Sequence, residues 1–486
     1  MINKENLTMV TDFYEITMAN GYLENGMGDE IAYFDMFFRR IPDGGGYAIM
    51  AGVEQVVDYL KNLKFDEEDI EFLRGKNCFS ERFLDYLRNF KFSCDVWSIE
   101  EGTPIFPHEP ILTVRGPVIQ AQFVESMILL IINHQSLIAT KASRIVRSAA
   151  GRPVMEFGTR RAHGTSAAIY GARATYIAGC SATACVMADR DYHVPATGTM
   201  AHSWVQMFPN EYEAFAAYAK VYPENCVLLV DTYNVLKSGV PAAIRVFKEL
   251  KPKSMGIRID SGDIAYLTKK ARKMLDNAGL KECKIVISNS LDEYIIRDVL
   301  LEGAKIDSFG VGERMITAKS EPVFGGVYKL VALEDEDGNI IPKIKVSENV
   351  EKITNPGFKT LYRLFDKDNN KALADVITVD GEEVPKEVGE DEGYEIFDPN
   401  AIWKRKTLTN FYSKNMRVPL FLNGECVYEC PDIQDVRKRC EEQMKTLWDE
   451  TLRFENPQTY YVDLSQKLWD MKEDLLNEAM EGMVNR

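Results

Sequence analysis

The sequence is poor in histidine, with five in 486 residues, and its nine cysteines are odd in number and scattered. The closest cysteine pairs, Cys180 with Cys185 and Cys426 with Cys430, lack the matched spacing of a zinc site, which points to a reducing cytoplasm and no structural metal. No dense Lys/Arg run occurs, and the formal charge of −16 repels a polyphosphate strand, which argues against nucleic acid as a partner. The opening "MINKENLTMVTDFYEITMANG" lacks a basic segment followed by an apolar one, so no signal peptide is expected. The longest apolar run, Met127 to Ile132, falls far short of a bilayer's thickness. These absences together describe a soluble cytoplasmic protein with no membrane span.

What is present is a chain of 45% apolar and 27% charged residues, long enough for about three domains or one large α/β barrel with additions. The first 115 residues read as a small α+β layer: a helix over 12–24, a strand "IAYFDMFF" at 31–38, three short helices, then strands near 94–115. A long helical pattern follows from Pro117 to Ala149 and stops at "GRP". Between 150 and 330, apolar runs recur ahead of polar or glycine tips: "VMEFGTRR", "CVLLVDTY", "MGIRIDSGD", "KIVISNS" and "IDSFGVGE". Strands alternating with helices predict a parallel sheet closed or nearly closed into a barrel, with the strand C-termini in one mouth. After Lys329 the sequence turns acidic and turn-rich, as an antiparallel solvated region would, and from Pro431 it is mostly helical.

The tips carry the chemistry. In "GIRIDSGDIAYL", Asp260 and Ser261 suit a helix cap, yet amides at a helix start also attract phosphate, and Asp260 could hold ribose hydroxyls or a metal-bound pyrophosphate. Arg258 on the same strand could fork onto a carboxylate. Gly310 and Gly312 of "FGVGER" could let backbone amides approach an anion, and Ser288 opens a Ser-Asn-Ser turn before another helix. "MEFGTRRAHG" sets Phe157 beside Arg160, Arg161 and His163, an aromatic face with guanidinium groups suited to a flat anionic ring. Adjacent arginines are as often a solvated pair, and Phe157 is equally at home in a core. No Asp or Glu follows between Gly164 and Ala188. His202 stands behind Gly198 and Thr199; a neutral imidazole there could take a γ-phosphate, with Asp231 of "LLVDTY" as the acid that orients it.

At these residues the sequence resembles the nicotinate phosphoribosyltransferase family. The resemblance runs from "TDFYEITMANGY" through "EFGTRRAHG", "GTMAHSW", "LLVDTYNV", "IRIDSGD", "FGVGE" and "VFGGVYKLV", residues 11 to 331, with "NPGFK" beyond. It implies an α/β class protein of the type II phosphoribosyltransferase kind: an irregular α/β barrel (136–334) packed on a discontinuous α/β domain (1–135, completed by about 335–425), with a C-terminal helical extension (426–486). It implies transfer of phosphoribosyl from phosphoribosyl pyrophosphate to nicotinate, driven by ATP through a phosphohistidine, with Mg²⁺ held by substrate phosphates near Asp260. His202 is the residue phosphorylated on that pattern; Asp231 and Asp260 resemble the acids near it and the ribose. Phe157 and Tyr14 would sandwich the pyridine ring, Tyr14 crossing from the partner of a head-to-tail homodimer. Arg258 and Thr199 would contact the ring's carboxylate, Arg160 both substrate and phosphate, and Gly312 phosphate; Ser288 and Gly310 complete the expected binding set. Two departures bear on this. Glu313 stands where some members carry Thr, and Met200 stands where nicotinamide-using relatives carry an acid, which argues for the acid base over the amide.

Overall fold

The run "IAYFDMFF" forms the strand Ile31–Phe38, and seven of its eight residues are buried, too apolar to leave either face in water. It lies inside a seven-stranded antiparallel sheet, between Leu112–Pro117 on one side and Gly326–Glu334 on the other. The computed structural model describes residues 6–349, 352–399 and 401–484. The chain divides into two units, one made of 1–137 and 323–486, the other of 138–322.

The first unit holds that sheet and a five-stranded one in the order Glu387–Val388, Phe411–Asn415, Lys359–Asp366, Ala372–Val379, Val462–Leu464. Two expected limits shift. The sequence pattern predicts a barrel segment running to 334, but Gly326–Glu334 pairs along Ile31–Phe38, so the segment ends at Pro322. The stretch 426–486 was assigned to a separate helical extension; its helices Ile433–Thr446 and Gln466–Val484 flank the strand Val462–Leu464, which pairs in parallel with Ala372–Val379 and so belongs to the first unit. The expected residues 1–5 and 485–486 lie outside those described. One helical stretch, 118–148, is long and apolar enough by composition to cross a membrane, but 67% of its apolar window is buried in protein, as in a core helix.

The second unit is a six-stranded parallel sheet. Its strands are β1 (Val154–Glu156), β2 (Ala182–Thr183), β3 (Cys226–Leu229), β4 (Met255–Ile259), β5 (Lys284–Asn289) and β6 (Ser308–Val311), in the order β2-β1-β6-β5-β4-β3. In β5 the four central residues are all buried, as both faces of a helix-covered parallel sheet require. β2 and β3 are edges, so the sheet is a curled half-barrel rather than a closed ring. Helices follow the strands with side-chain caps: Asp263 accepts the amide of Tyr266 at 2.7 Å, and Asp292 those of Tyr294 and Ile295 at 3.1 and 2.9 Å. The cap after β4 is therefore Asp263, which leaves Asp260 free for other work.

Candidate active site at the strand tips

Parallel strands leave their carboxyl ends on one edge, and the register decides which side chains meet there. Arg258 on β4 lies opposite Leu229 of β3 and Val286 of β5, while Ser288 of β5 lies opposite Gly310 of β6. Arg258 is the hub. Its Nε donates to the Ser288 hydroxyl at 2.6 Å, Nη1 to the Thr199 hydroxyl at 2.8 Å and Nη2 to Asp260 Oδ1 at 3.0 Å. The Ser288 hydroxyl in turn donates to the same Asp260 oxygen at 2.5 Å. The guanidinium carbon stands 5.5 Å from the centroid of the Phe157 ring. Four expected residues from three segments, Thr199, Ser288 and the Arg258–Asp260 tip, thus form one polar floor beside the aromatic wall of Phe157.

Gly310 has a steric task that the sequence did not show. A Cβ there would sit 2.4 Å from the Phe157 ring, so the missing side chain lets the ring lie against strand β6. Gly312 begins the short helix Glu313–Ile316, and a Cβ would come 3.0 Å from the Phe157 carbonyl oxygen. Phe157 is fixed from below by Glu156, which no sequence signal singled out. Its buried carboxylate accepts the Gly158 amide and, at 2.6 Å, the Thr183 hydroxyl, and burial raises its pKa. Thr183 holds the segment that leads to Thr199 and His202, accepting the Thr197 amide at 2.8 Å and donating to the Pro195 carbonyl at 3.0 Å.

His202 opens the short helix His202–Gln206. Its Nε2 lies 3.8 Å from Asp260 Oδ2, and its Nδ1 is 3.1 Å from the Thr232 hydroxyl. The expected orienting acid, Asp231, is engaged elsewhere. Its Oδ2 accepts the Asp260 amide at 3.0 Å and the Ser261 hydroxyl at 2.6 Å, bracing the loop that carries Asp260, while Oδ1 is buried with no partner. The acid facing the imidazole is Asp260, and the ring's hydrogen-bond partner is Thr232, a residue the sequence offered only as a neighbour of Asp231.

The remaining expected residues are placed as follows. Arg160 and Arg161 sit on the single turn Thr159–Arg161, both exposed, and Arg160 makes no ion pair among the described residues. Glu313 pairs with Lys319 at 2.7 Å, which holds its pKa low, and lies 3.9 Å from Arg161; its carboxylate is committed to cations. Met200 is buried. Tyr14 belongs to the other unit, on the helix Phe13–Glu24, 45% exposed, beside Val10, Phe13 and Leu130, which are also exposed. An open cavity of about 360 Å³ there is lined by Tyr14, Thr11, Glu125 and Ser126 among others. Burial and then Glu125 raise the Tyr14 phenol, keeping it neutral. Lys329, whose pKa burial lowers, stands 3.9 Å from Glu125, with Lys345 and Arg39 close enough to add to the depression.

The chain matches three family models: the nicotinate phosphoribosyltransferase N-terminal domain over residues 9–133, the nicotinate phosphoribosyltransferase family over 153–336 and its C-terminal domain over 358–472. It is 42% identical over 477 residues to nicotinate phosphoribosyltransferase of Bacillus subtilis, covering 98% of this chain and 96% of that one. The human protein of the same name is 30% identical, with 95% of each chain covered. Among solved structures, human nicotinic acid phosphoribosyltransferase superposes with a TM-score of 0.84 at 27% identity, covering 96% of this chain and 100% of that one. The nicotinate-nucleotide pyrophosphorylase of Pyrococcus furiosus shares the fold, with a TM-score of 0.69 at 23% identity.

Proposed function

This chain belongs to the nicotinate phosphoribosyltransferase family, and from that premise we propose that it makes nicotinate mononucleotide from nicotinate and phosphoribosyl pyrophosphate by coupling ATP hydrolysis to the transfer through His202. The transferase activity follows from the family; the coupling is our reading of the site. One observation supports it above the others: a guanidinium, Arg258, held by Thr199, Ser288 and Asp260 against the face of Phe157, with an imidazole 3.8 Å from the same aspartate.

The chemistry proceeds from those parts. Nicotinate is a flat ring with a carboxylate, so Phe157 offers it a stacking face and Arg258 a fixed, always-charged donor for the anionic end. Loss of pyrophosphate from the ribose C1 builds positive charge on the sugar and negative charge on the leaving group. On this reading Asp260 would face the sugar, and the pyridine nitrogen needs only to be held in line. Phosphorylated His202 would then set negative charge at the edge of the site and change its affinity for the sugar diphosphate, which is how ATP use becomes productive.

Magnesium fits this site only in company. Among the described residues no cluster of three or more His, Cys, Asp or Glu side chains could cage a metal, so the substrate phosphates must supply most of its ligands. The buried, unpartnered Oδ1 of Asp231 is the carboxylate oxygen left free to meet the ion. Bound there, it would neutralise the departing pyrophosphate.

We infer a homodimer in which Tyr14 reaches a second copy. Support comes from the exposed apolar face around Val10, Phe13, Tyr14 and Leu130 and from the cavity beside it.

Intact-mass spectrometry after incubation with ATP tests the coupling. The wild type should gain one phosphoryl group and His202→Ala none; labelling retained in the variant would place the carrier elsewhere. Turnover with each base tests the substrate, since a preference for nicotinamide would overturn the role given to Arg258. Light scattering tests the dimer, which a monomer at assay concentration would sink.

A further inference from the structure

Phosphoryl transfer to a histidine depends on which ring nitrogen carries the lone pair. That choice is made by whatever the other nitrogen hydrogen-bonds to. In many sites of this sort a carboxylate does it. Here no carboxylate oxygen stands within hydrogen-bond distance of the imidazole, the Asp260 Oδ2 atom being 3.8 Å from Nε2. Asp231 Oδ2 holds the Asp260 amide and the Ser261 hydroxyl, and Asp260 Oδ1 holds Arg258 and Ser288. The atom at hydrogen-bond distance from the imidazole is the Thr232 hydroxyl, 3.1 Å from Nδ1, while Nε2 faces the Asp260 side of the site at 3.8 Å.

We propose that Thr232 is a positioning residue for His202: its hydroxyl accepts from Nδ1–H, fixing the proton there and presenting the Nε2 lone pair to the incoming phosphate. This rests on the phosphohistidine reading given above and names the residue that makes it work. Thr232 suits the task by position. It lies three residues past the end of β3, next to Asp231, whose bonds to Asp260 and Ser261 tie this tip to the neighbouring one.

In the transfer, the Nε2 lone pair forms a bond to the γ-phosphorus, the bridging P–O bond breaks, and its electron pair leaves with ADP. The ring then carries Nε2–P and Nδ1–H with a positive charge, and releases the Nδ1 proton to water. A hydroxyl can follow that change, because it accepts from Nδ1–H before the transfer and donates to the Nδ1 lone pair after it. A carboxylate can only accept. It would hold the proton on the ring and keep the phosphoryl group on a better leaving group. A threonine at this place therefore favours storing the phosphoryl group until substrate arrives.

The test uses the full chain with Thr232→Val, which keeps the shape and loses the hydroxyl, and Thr232→Ser, which keeps the hydroxyl. Three readouts are taken: the rate of phosphoryl gain from ATP by intact mass, the phosphohistidine isomer by phosphorus NMR, and the His202 tautomer by nitrogen NMR of ATP-free, histidine-labelled protein. Thr232→Val should slow phosphorylation about tenfold, the worth of one hydrogen bond, and yield a mixture of isomers from a mixture of tautomers. Thr232→Ser should stay within about twofold of wild type with the Nε2 isomer alone. Wild-type rate and a single Nε2 isomer in Thr232→Val would overturn the proposal, as would an Nε2–H ring in the wild type. A wild type with the Nδ1–H ring that takes up no phosphoryl group would instead overturn the phosphohistidine reading and leave the ring placement standing.

Discussion

Two arginine–aspartate pairs in this chain are built from the same parts and differ in what closes them. In the first unit, Arg363 donates twice to Asp375 at 2.8 and 2.7 Å and lies 5.2 Å from the Phe106 ring centroid, with Tyr460 donating to the same carboxylate at 2.7 Å. In the second, Arg258 donates to Asp260 and lies 5.5 Å from Phe157. The difference is what occupies the far side of the aromatic face. Phe106 is covered by Tyr460, stacked at 3.9 Å, and both charged side chains are wholly buried. Phe157 is only half buried, and hydroxyls from Thr199 and Ser288 rather than a second ring complete the shell. A guanidinium on an aromatic face is thus sealed as a structural rivet when a ring closes it, and it stays open to a ligand, as proposed above for nicotinate, when hydroxyls complete the shell.

Removing each arginine should separate the two roles. Arg363→Ala strands a buried carboxylate beside Glu109, itself pushed up by burial and by Asp375, and should cost about 3–5 kcal/mol, read as a lowered denaturation midpoint. A loss below about 1 kcal/mol would mean that the sealed pair is no rivet. Arg258→Ala should instead leave that midpoint nearly unchanged while kcat/KM for nicotinate falls about a hundredfold, the loss of a charged hydrogen-bonding partner worth about 3 kcal/mol. Equal losses in folding and turnover would erase the distinction. Gly310→Ala sharpens the open case, because its methyl would press into the Phe157 ring; a cost of about 1–2 kcal/mol should appear in the KM for nicotinate more than in the phosphorylation of His202.

The smallest effect concerns a buried carboxylate with no cation partner among the described residues. Glu15 is held by the Thr11 hydroxyl and, at 2.8 Å, by that of Ser126, and burial pushes its pKa up to about 7. A folded-state pKa above the ordinary 4.5 means that neutral Glu15 stabilises the fold below that value and that this contribution fades as pH rises through about 7. Glu15→Gln, neutral throughout, should match the wild type in thermal unfolding near pH 5 and exceed it near pH 8. Equal unfolding temperatures near pH 8 as well would show that the hydroxyls suffice to hold the charge.

Much of this was legible beforehand, for a definable reason. The strands of the second unit are fully apolar runs cut off by polar tips, and a parallel sheet places every such tip on one edge, so Phe157, Arg258, Asp260 and Ser288 could be assembled from order alone. What sequence could not supply was the choice between adjacent residues of similar type. Asp260 and Asp263 both suit a helix start, and only the turn at Gly262, with φ near 87°, decides that Asp263 caps. Asp231 and Thr232 both suit the imidazole, and strand direction turns one toward the Asp260 loop and the other toward the ring. The steric task of Gly310 was hidden because its neighbour, Phe157, lies about 150 residues away in sequence. The strand Gly326–Glu334 was misplaced because its partner, Ile31–Phe38, lies nearly 300 residues earlier, and no local pattern records that pairing.

That pairing bears on how the molecule is made. Tyr33 cannot meet Glu334, nor Ala372–Val379 meet Val462–Leu464, until most of the chain has left the ribosome, whereas every strand of the half-barrel is drawn from one continuous stretch. Synthesis at about 5–20 residues per second therefore leaves the apolar segment Ile31–Phe38 waiting many seconds for its neighbour, and that interval is when the nascent polypeptide most needs a chaperone.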